Sequence, residues 1–117
     1  MLTLGLTGRI WICTQAVDGR KSFDGLQAVV ASHLAKDPLS GDLFVFRNKR
    51  GDRLKILAWQ GDGFALYLRR LEKGTFRFPT AATAEVSITA TQLAMILGGI
   101  DLGSAVPRPR YERHAAG

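Results

Sequence analysis

The side chains with the greatest chemical reach in this chain are its cations. Nine of its sixteen Lys and Arg residues fall between Arg47 and Arg77, opposed there only by Asp52, Asp62 and Glu72. That stretch carries +6, which is the formal net charge of the whole 117-residue protein. The cations alternate with Phe, Trp, Tyr, Leu and Ile, and a merely solvated charge run would lack such neighbours. A basic surface studded with rings is suited to a polyanion, of which nucleic acid is the commonest in a cell. Arginine outnumbers lysine eleven to five, and its planar fork matches phosphate and base edges better than a point ammonium does. Arg47, Lys49, Arg50, Arg53, Lys55, Arg69 and Arg70 are therefore expected to hold phosphates, with Trp59 and Tyr67 packing on sugars or unpaired bases. Arg20 and Lys21, just ahead of an expected helix N-terminus, form a secondary anion site.

Other chemistries find little to work with. There is no glycine-rich phosphate loop ending in Lys-Ser or Lys-Thr, and no Cys/His pair at zinc spacing. Neither a metal nor a cofactor is expected. Cys13 is the only cysteine; it lies in an apolar run and reads as a small buried hydrophobe, in keeping with a reducing compartment. His33 has no second ligand at a useful spacing. The aspartates mostly sit beside Gly or Pro, in turns. Two-metal nuclease chemistry needs carboxylates converging at strand ends, and only Asp24, Asp62 and Glu72 offer a set, so catalytic residues are expected to be absent. No segment approaches the roughly eighteen continuous apolar residues of a membrane span, and the N-terminus has no signal-peptide pattern, so a cytoplasmic protein is expected.

The elements that must position the cations can be read from period and punctuation. Residues 9–14 read as a first strand. Ser22 stands as an N-cap before a helix whose apolar stripe runs Phe23, Leu26, Val30, Leu34. Turn chemistry from Asp37 to Gly41 stops it. Leu43 to Phe46 is apolar on both faces, as a central strand is. Gly51 closes a hairpin turn after Asn48-Lys49-Arg50, and further strands follow over 53–59, 64–71 and 75–78. Thr80 to Ala84 reads as a loop. Thr89 then caps a short last helix that Gly98-Gly99 ends. The fold class is α+β: an antiparallel β-meander of about four to five strands, one helix on its apolar face and a short C-terminal helix. Residues 1–103 form the domain, and 104–117 a flexible basic tail.

The alternation along the strands predicts a division of labour. If Gly61-Asp62-Gly63 is the whole turn, Trp59 pairs with Ala65, Leu57 with Tyr67, and Lys55 with Arg69. One face is then apolar for the helix, and the other displays Arg53, Lys55, Trp59, Tyr67 and Arg69. Lys55 opposite Arg69 is unfavourable unless an anion sits between them.

The chain also resembles a known family. The string DGRKSFDGL from Asp18 to Leu26 and the string DPLSGDLFVFRNKRGDRLKIL from Asp37 to Leu57 are similar to the TnpB accessory protein of insertion-sequence-sixty-six-type transposable elements. The likeness continues through Trp59, Gly61-Asp62-Gly63, Arg69 to Glu72, Phe76, Phe78-Pro79 and Leu97 to Asp101, and so covers roughly residues 5–102. Ser22 departs from it, standing where relatives commonly have Gly. This family only shares a label with the RNA-guided nuclease called TnpB. The resemblance implies a bacterial, non-catalytic accessory protein of transposition, encoded beside a separate and larger transposase that carries the catalytic acids. Its expected partners are DNA, at the element ends, and that transposase. Two alternatives remain open: a subunit that docks its basic face onto the transposase, and a cryptic nuclease.

Overall fold

The computed structural model describes residues 8–99, and in them the fold class is the expected one, α+β. Five strands form one mixed sheet in the order β4-β3-β2-β1-β5, with β1 at Ile10–Cys13, β2 at Leu43–Arg47, β3 at Arg53–Trp59, β4 at Phe64–Arg70 and β5 at Glu85–Ile88. The antiparallel meander is confined to β2, β3 and β4. β1 lies parallel to β2, with Ile10, Trp11 and Ile12 opposite Leu43, Phe44 and Val45. Parallel neighbours need a long crossover, and the helix between them supplies it. β5, not foreseen in the sequence, pairs antiparallel with the free side of β1. The tail expected over 104–117 lies outside the described residues.

The crossover helix α1 spans Phe23–Ala28 and widens into a π-helical turn over Val29–His33. Its buried stripe is Leu26, Val30 and Leu34, whereas Phe23 is 42% exposed and does not join it. Ser22 occupies the N-cap position but its side chain makes no cap hydrogen bond. The second helix, α2 (Ala90–Leu97), begins with a reciprocal box: Gln92 N donates to Thr89 Oγ1 at 3.1 Å, and Thr89 N donates to Gln92 Oε1 at 2.9 Å. This satisfies two amides that the first helical turn leaves unpaired.

The sheet is covered on both faces, not one. Period-two alternation sends Phe44, Phe46 and Leu57 to the α1 side, where they pack with Cys13, Leu26, Val30 and Leu34. Val45, Leu54 and Ile56 go to the other side and meet Leu93 and Ile96 of α2 together with Phe76. β2 is accordingly buried on both sides, which is what its unbroken apolar run implied. Residues 75–78 do not form the strand their alternation suggested. They cross the sheet end as an irregular strap, with Phe76 in the core and its N–H donated to Gly51 O at 2.8 Å.

Candidate nucleic-acid interface

Rings and cations do not share one open sheet face, because the β3–β4 register differs from the expected one. The turn between these strands uses four residues, closed by Gln60 N donating to Gly63 O at 2.9 Å. Trp59 therefore pairs with Phe64, Ile56 with Tyr67, Leu54 with Arg69 and Arg53 with Arg70. One residue of slip moves a whole strand's side chains to the other face. Tyr67 packs against the α2-side core. Arg69 turns the same way, and its guanidinium donates to Leu97 O at 3.1 Å, bonding the last turn of α2. Lys55 now stands opposite Leu68 rather than Arg69. Trp59 packs edge-on against Phe64, ring centroids 5.0 Å apart. It lies six strand residues from Arg53, about 20 Å at the usual rise, at the opposite end of the sheet from the cations.

What the fold gathers is an end of the sheet. The C-terminal ends of β1, β2 and β4 and the N-terminal end of β3 lie together there, as strand directions require. The β2–β3 turn and the loop leading into α1 project from that end. Asn48 organises the turn: its side-chain oxygen accepts from Arg53 N at 3.0 Å, its amide donates to Asp52 Oδ1 at 2.7 Å, and its carbonyl accepts from Gly51 N at 3.1 Å. Gly51, at φ +78°, completes the reversal beneath the strap. The bond from Asn48 comes first among the causes that hold the Asp52 carboxyl below its ordinary range, with Arg50 and Arg53 adding to it.

The α1 entry loop is fastened to this turn. Lys55 Nζ donates to Gly19 O at 2.8 Å and to Lys21 O, and Val17 N donates to Arg47 O at 2.9 Å. Burial, followed by the field of Arg53, makes the Lys55 ammonium easier to deprotonate than usual. Lys55 is thus half-buried and serves as a tie, not as a free phosphate ligand. Arg47 is similarly engaged: it reaches Thr14 O at 3.4 Å and lies 5.8 Å from the Phe78 ring centre. Between loop and turn runs an open cleft of about 550 Å³, walled by residues 16–19 on one side and Asn48, Lys49 and Arg50 on the other.

The remaining cations divide into paired and unpaired. Arg20 makes a two-pronged contact with Asp18, at 3.1 and 2.9 Å, and these bonds hold the Asp18 carboxyl well below the usual carboxylate range. Arg70 contacts Glu72 at 2.9 Å. Both pairs are exposed, where such contacts are weak and exchangeable. Lys21, Lys49, Arg50 and Arg53 are exposed and take part in none of the salt bridges among the described residues. Lys73 and Arg77, not singled out from the sequence, are also exposed. The cleft walls at Asp18 and Asn48 were not singled out as site residues either, although both are turn-forming types inside the strings quoted above.

Asp62, in the β3–β4 turn, is at the other end of the sheet from Glu72, so this pair does not meet. Among the described residues no group of three or more His, Cys, Asp or Glu is placed to hold a metal, and no helix is long and apolar enough to cross a membrane.

Comparison with known proteins assigns the lineage. The family model described as "IS66 Orf2 like protein" matches residues 8–106. The uncharacterized protein y4jC of Sinorhizobium fredii is 41% identical over 93 residues, covering 80% of each chain. The uncharacterized protein y4hO of the same organism is 40% identical over 101 residues, covering 86% of this chain and 88% of that one. No solved structure gives a significant match. The chain belongs to the IS66 Orf2-like family of transposition accessory proteins.

Proposed function

We propose that this protein is a non-catalytic accessory factor that binds DNA during transposition, through the basic end of its sheet rather than through a sheet face. Lys21, Lys49, Arg50 and Arg53 contact phosphates, and Arg20 and Arg70 join them by exchanging their carboxylate partners for phosphate. The observation that carries this reading is the β2–β3 turn. It holds Lys49 and Arg50 side by side, exposed and outside any salt bridge among the described residues, on a support made rigid by Asn48 and Gly51. A preformed cationic tip spends little ordering entropy on meeting a phosphate. Family membership supports the transposition setting, alongside the transposase of the element.

Four contacts, rising to six when Arg20 and Arg70 join, correspond to a slope of about −3.6 to −5.4 in log K against log[salt]. Fluorescence anisotropy with a labelled element-end duplex at several salt concentrations measures it. The Lys49→Ala/Arg50→Ala double variant is expected to flatten the slope by about 2. No binding at low salt, or an unaltered slope in the double variant, overturns the proposal.

A further inference from the structure

β4 is an edge strand whose first five residues, Phe64 to Leu68, lack the usual protection; its two charges, Arg69 and Arg70, stand at one end. It pairs with β3 over seven consecutive residues with no bulge, and contains no Pro, Gly or Lys. Natural edges are normally blunted by such features, because unpaired amides and carbonyls recruit another strand. The ladder fixes which groups are unpaired. Leu71 N donates to Asp52 O at 2.7 Å and Gln60 N to Gly63 O at 2.9 Å. Since antiparallel bonding alternates, Ala65, Tyr67 and Arg69 bond inward to β3. Phe64, Leu66, Leu68 and Arg70 then turn their N–H and C=O groups outward. Leu68, 55% exposed, is one of the few large apolar side chains at the surface.

We propose that β4 pairs antiparallel with β4 of a second copy of this chain, about a two-fold axis at Tyr67, joining two sheets into one of ten strands. The strand is self-complementary in this register. Phe64 faces Arg70, Ala65 faces Arg69, and Leu66 faces Leu68, so all four outward residues exchange backbone bonds with the other copy. Each Leu68 is covered by a Leu66, and the arginines of one copy fall opposite uncharged residues of the other. A parallel copy would set arginine against arginine, which is destabilising. An acidic strand from another protein is not called for, because Arg69 is already held by Leu97 O and leaves Arg70 as the one cation of β4 that such a strand could pair with. The contact is isologous and closes at two copies, as most soluble homo-oligomers do.

Light scattering on the full chain, without DNA, tests this. The wild type is expected at about twice the 12.8 kDa chain mass at micromolar concentration. Leu68→Lys places a charge against Leu66 of the other copy, and Leu68→Pro removes an outward N–H while sparing the β3 ladder. Each raises the dimer dissociation constant by about tenfold or more, with circular dichroism unchanged. Ser87→Lys, on the opposite edge, leaves the dimer intact. A wild-type monomer at all concentrations, growth beyond two copies, a dimer indifferent to both Leu68 substitutions, or one lost in Ser87→Lys overturns the proposal.

Discussion

Gly51 offers the sharpest test of how the cationic turn is held. Its φ of +78° lies in the left-handed region, and a Cβ built there stands 3.2 Å from Thr75 Cβ and 3.4 Å from Thr75 Cγ2. Gly51→Ala therefore meets two separate costs. Placing a Cβ in the left-handed region costs about 1–2 kcal/mol, of which about 0.4–1 kcal/mol is returned because alanine narrows the unfolded ensemble. The contact with the strap is well inside the optimum carbon separation of about 3.5–4.0 Å, and overfilling of this kind costs about 1–3 kcal/mol. The expected loss is about 2–4 kcal/mol. Gly61 isolates the first component: its φ is +91°, and nothing lies within 4 Å of a Cβ there. Gly61→Ala should cost about 0.5–1.5 kcal/mol by the same conformational arithmetic. With a urea m-value of about 2 kcal/mol/M, the midpoint falls by roughly 1–2 M in Gly51→Ala and by roughly half a molar in Gly61→Ala. Thr75→Gly combined with Gly51→Ala recovers the difference as a coupling energy. Equal midpoints for the two glycine variants would show that the strap yields freely and does not brace the turn.

Thr89→Ala removes the hydroxyl that accepts from Gln92 N while keeping the backbone N–H that donates to Gln92 Oε1, and should cost about 1 kcal/mol in urea unfolding; Thr89→Ser should cost a small fraction of that. Trp59→Phe should leave DNA affinity and its salt slope unchanged in the anisotropy assay, because the ring sits at the far end of the sheet from the cations. Asp18 supplies a pH signature. Its folded-state pKa lies below the ordinary value of 3.8, held there first by the Arg20 side chain, so the folded state binds the proton less readily than the unfolded chain. The stability this contributes is fully present above 3.8, begins to be lost below it and is gone only once pH has fallen through the lower folded-state value. Urea midpoints of wild type and Asp18→Asn should thus differ at pH 7, and the difference, small because the pair is exposed, should shrink progressively as pH falls below about 4.

The sequence carried the site's composition better than its shape. The unbroken run Leu43 to Phe46 declared a central strand by its shortness between two turns, and Leu26, Val30 and Leu34 declared the buried helical stripe by their spacing of four. The β3–β4 register was not legible. Gly61-Asp62-Gly63 marks a turn but does not say whether Gln60 belongs to it. β4 begins Phe-Ala-Leu-Tyr-Leu, apolar on both faces, so burial alone does not choose between registers, and the choice decides where Tyr67 and Arg69 point. The strand reading of 75–78 failed for a related reason: Phe76 and Phe78 alternate as strand residues do, yet the Phe76 amide is bound by Gly51 rather than by a ladder. The parallel placement of β1 was hidden because pairing partners are settled by competition among distant segments. The convergence of Arg47, Arg53 and Arg70 follows from the meander itself, which returns to one end at every second turn.

The position of β1 has a consequence for how the molecule assembles. The first strand of the described residues is an interior one, bonded on one side to residues 43–45 and on the other to residues 85–88. During synthesis it has no complete site to enter until nearly all of the described chain has left the ribosome. The three-strand hairpin unit, built from contacts between near neighbours in sequence, is free to form sooner, since local closure costs the least entropy. Completion of the fold is then a capture event, in which a waiting N-terminal segment is clamped by the last strand to arrive. Deletion through Cys13 would remove that pin and leave β5 without its ladder, while leaving the hairpin unit that carries Lys49 and Arg50 with its own backbone pairings.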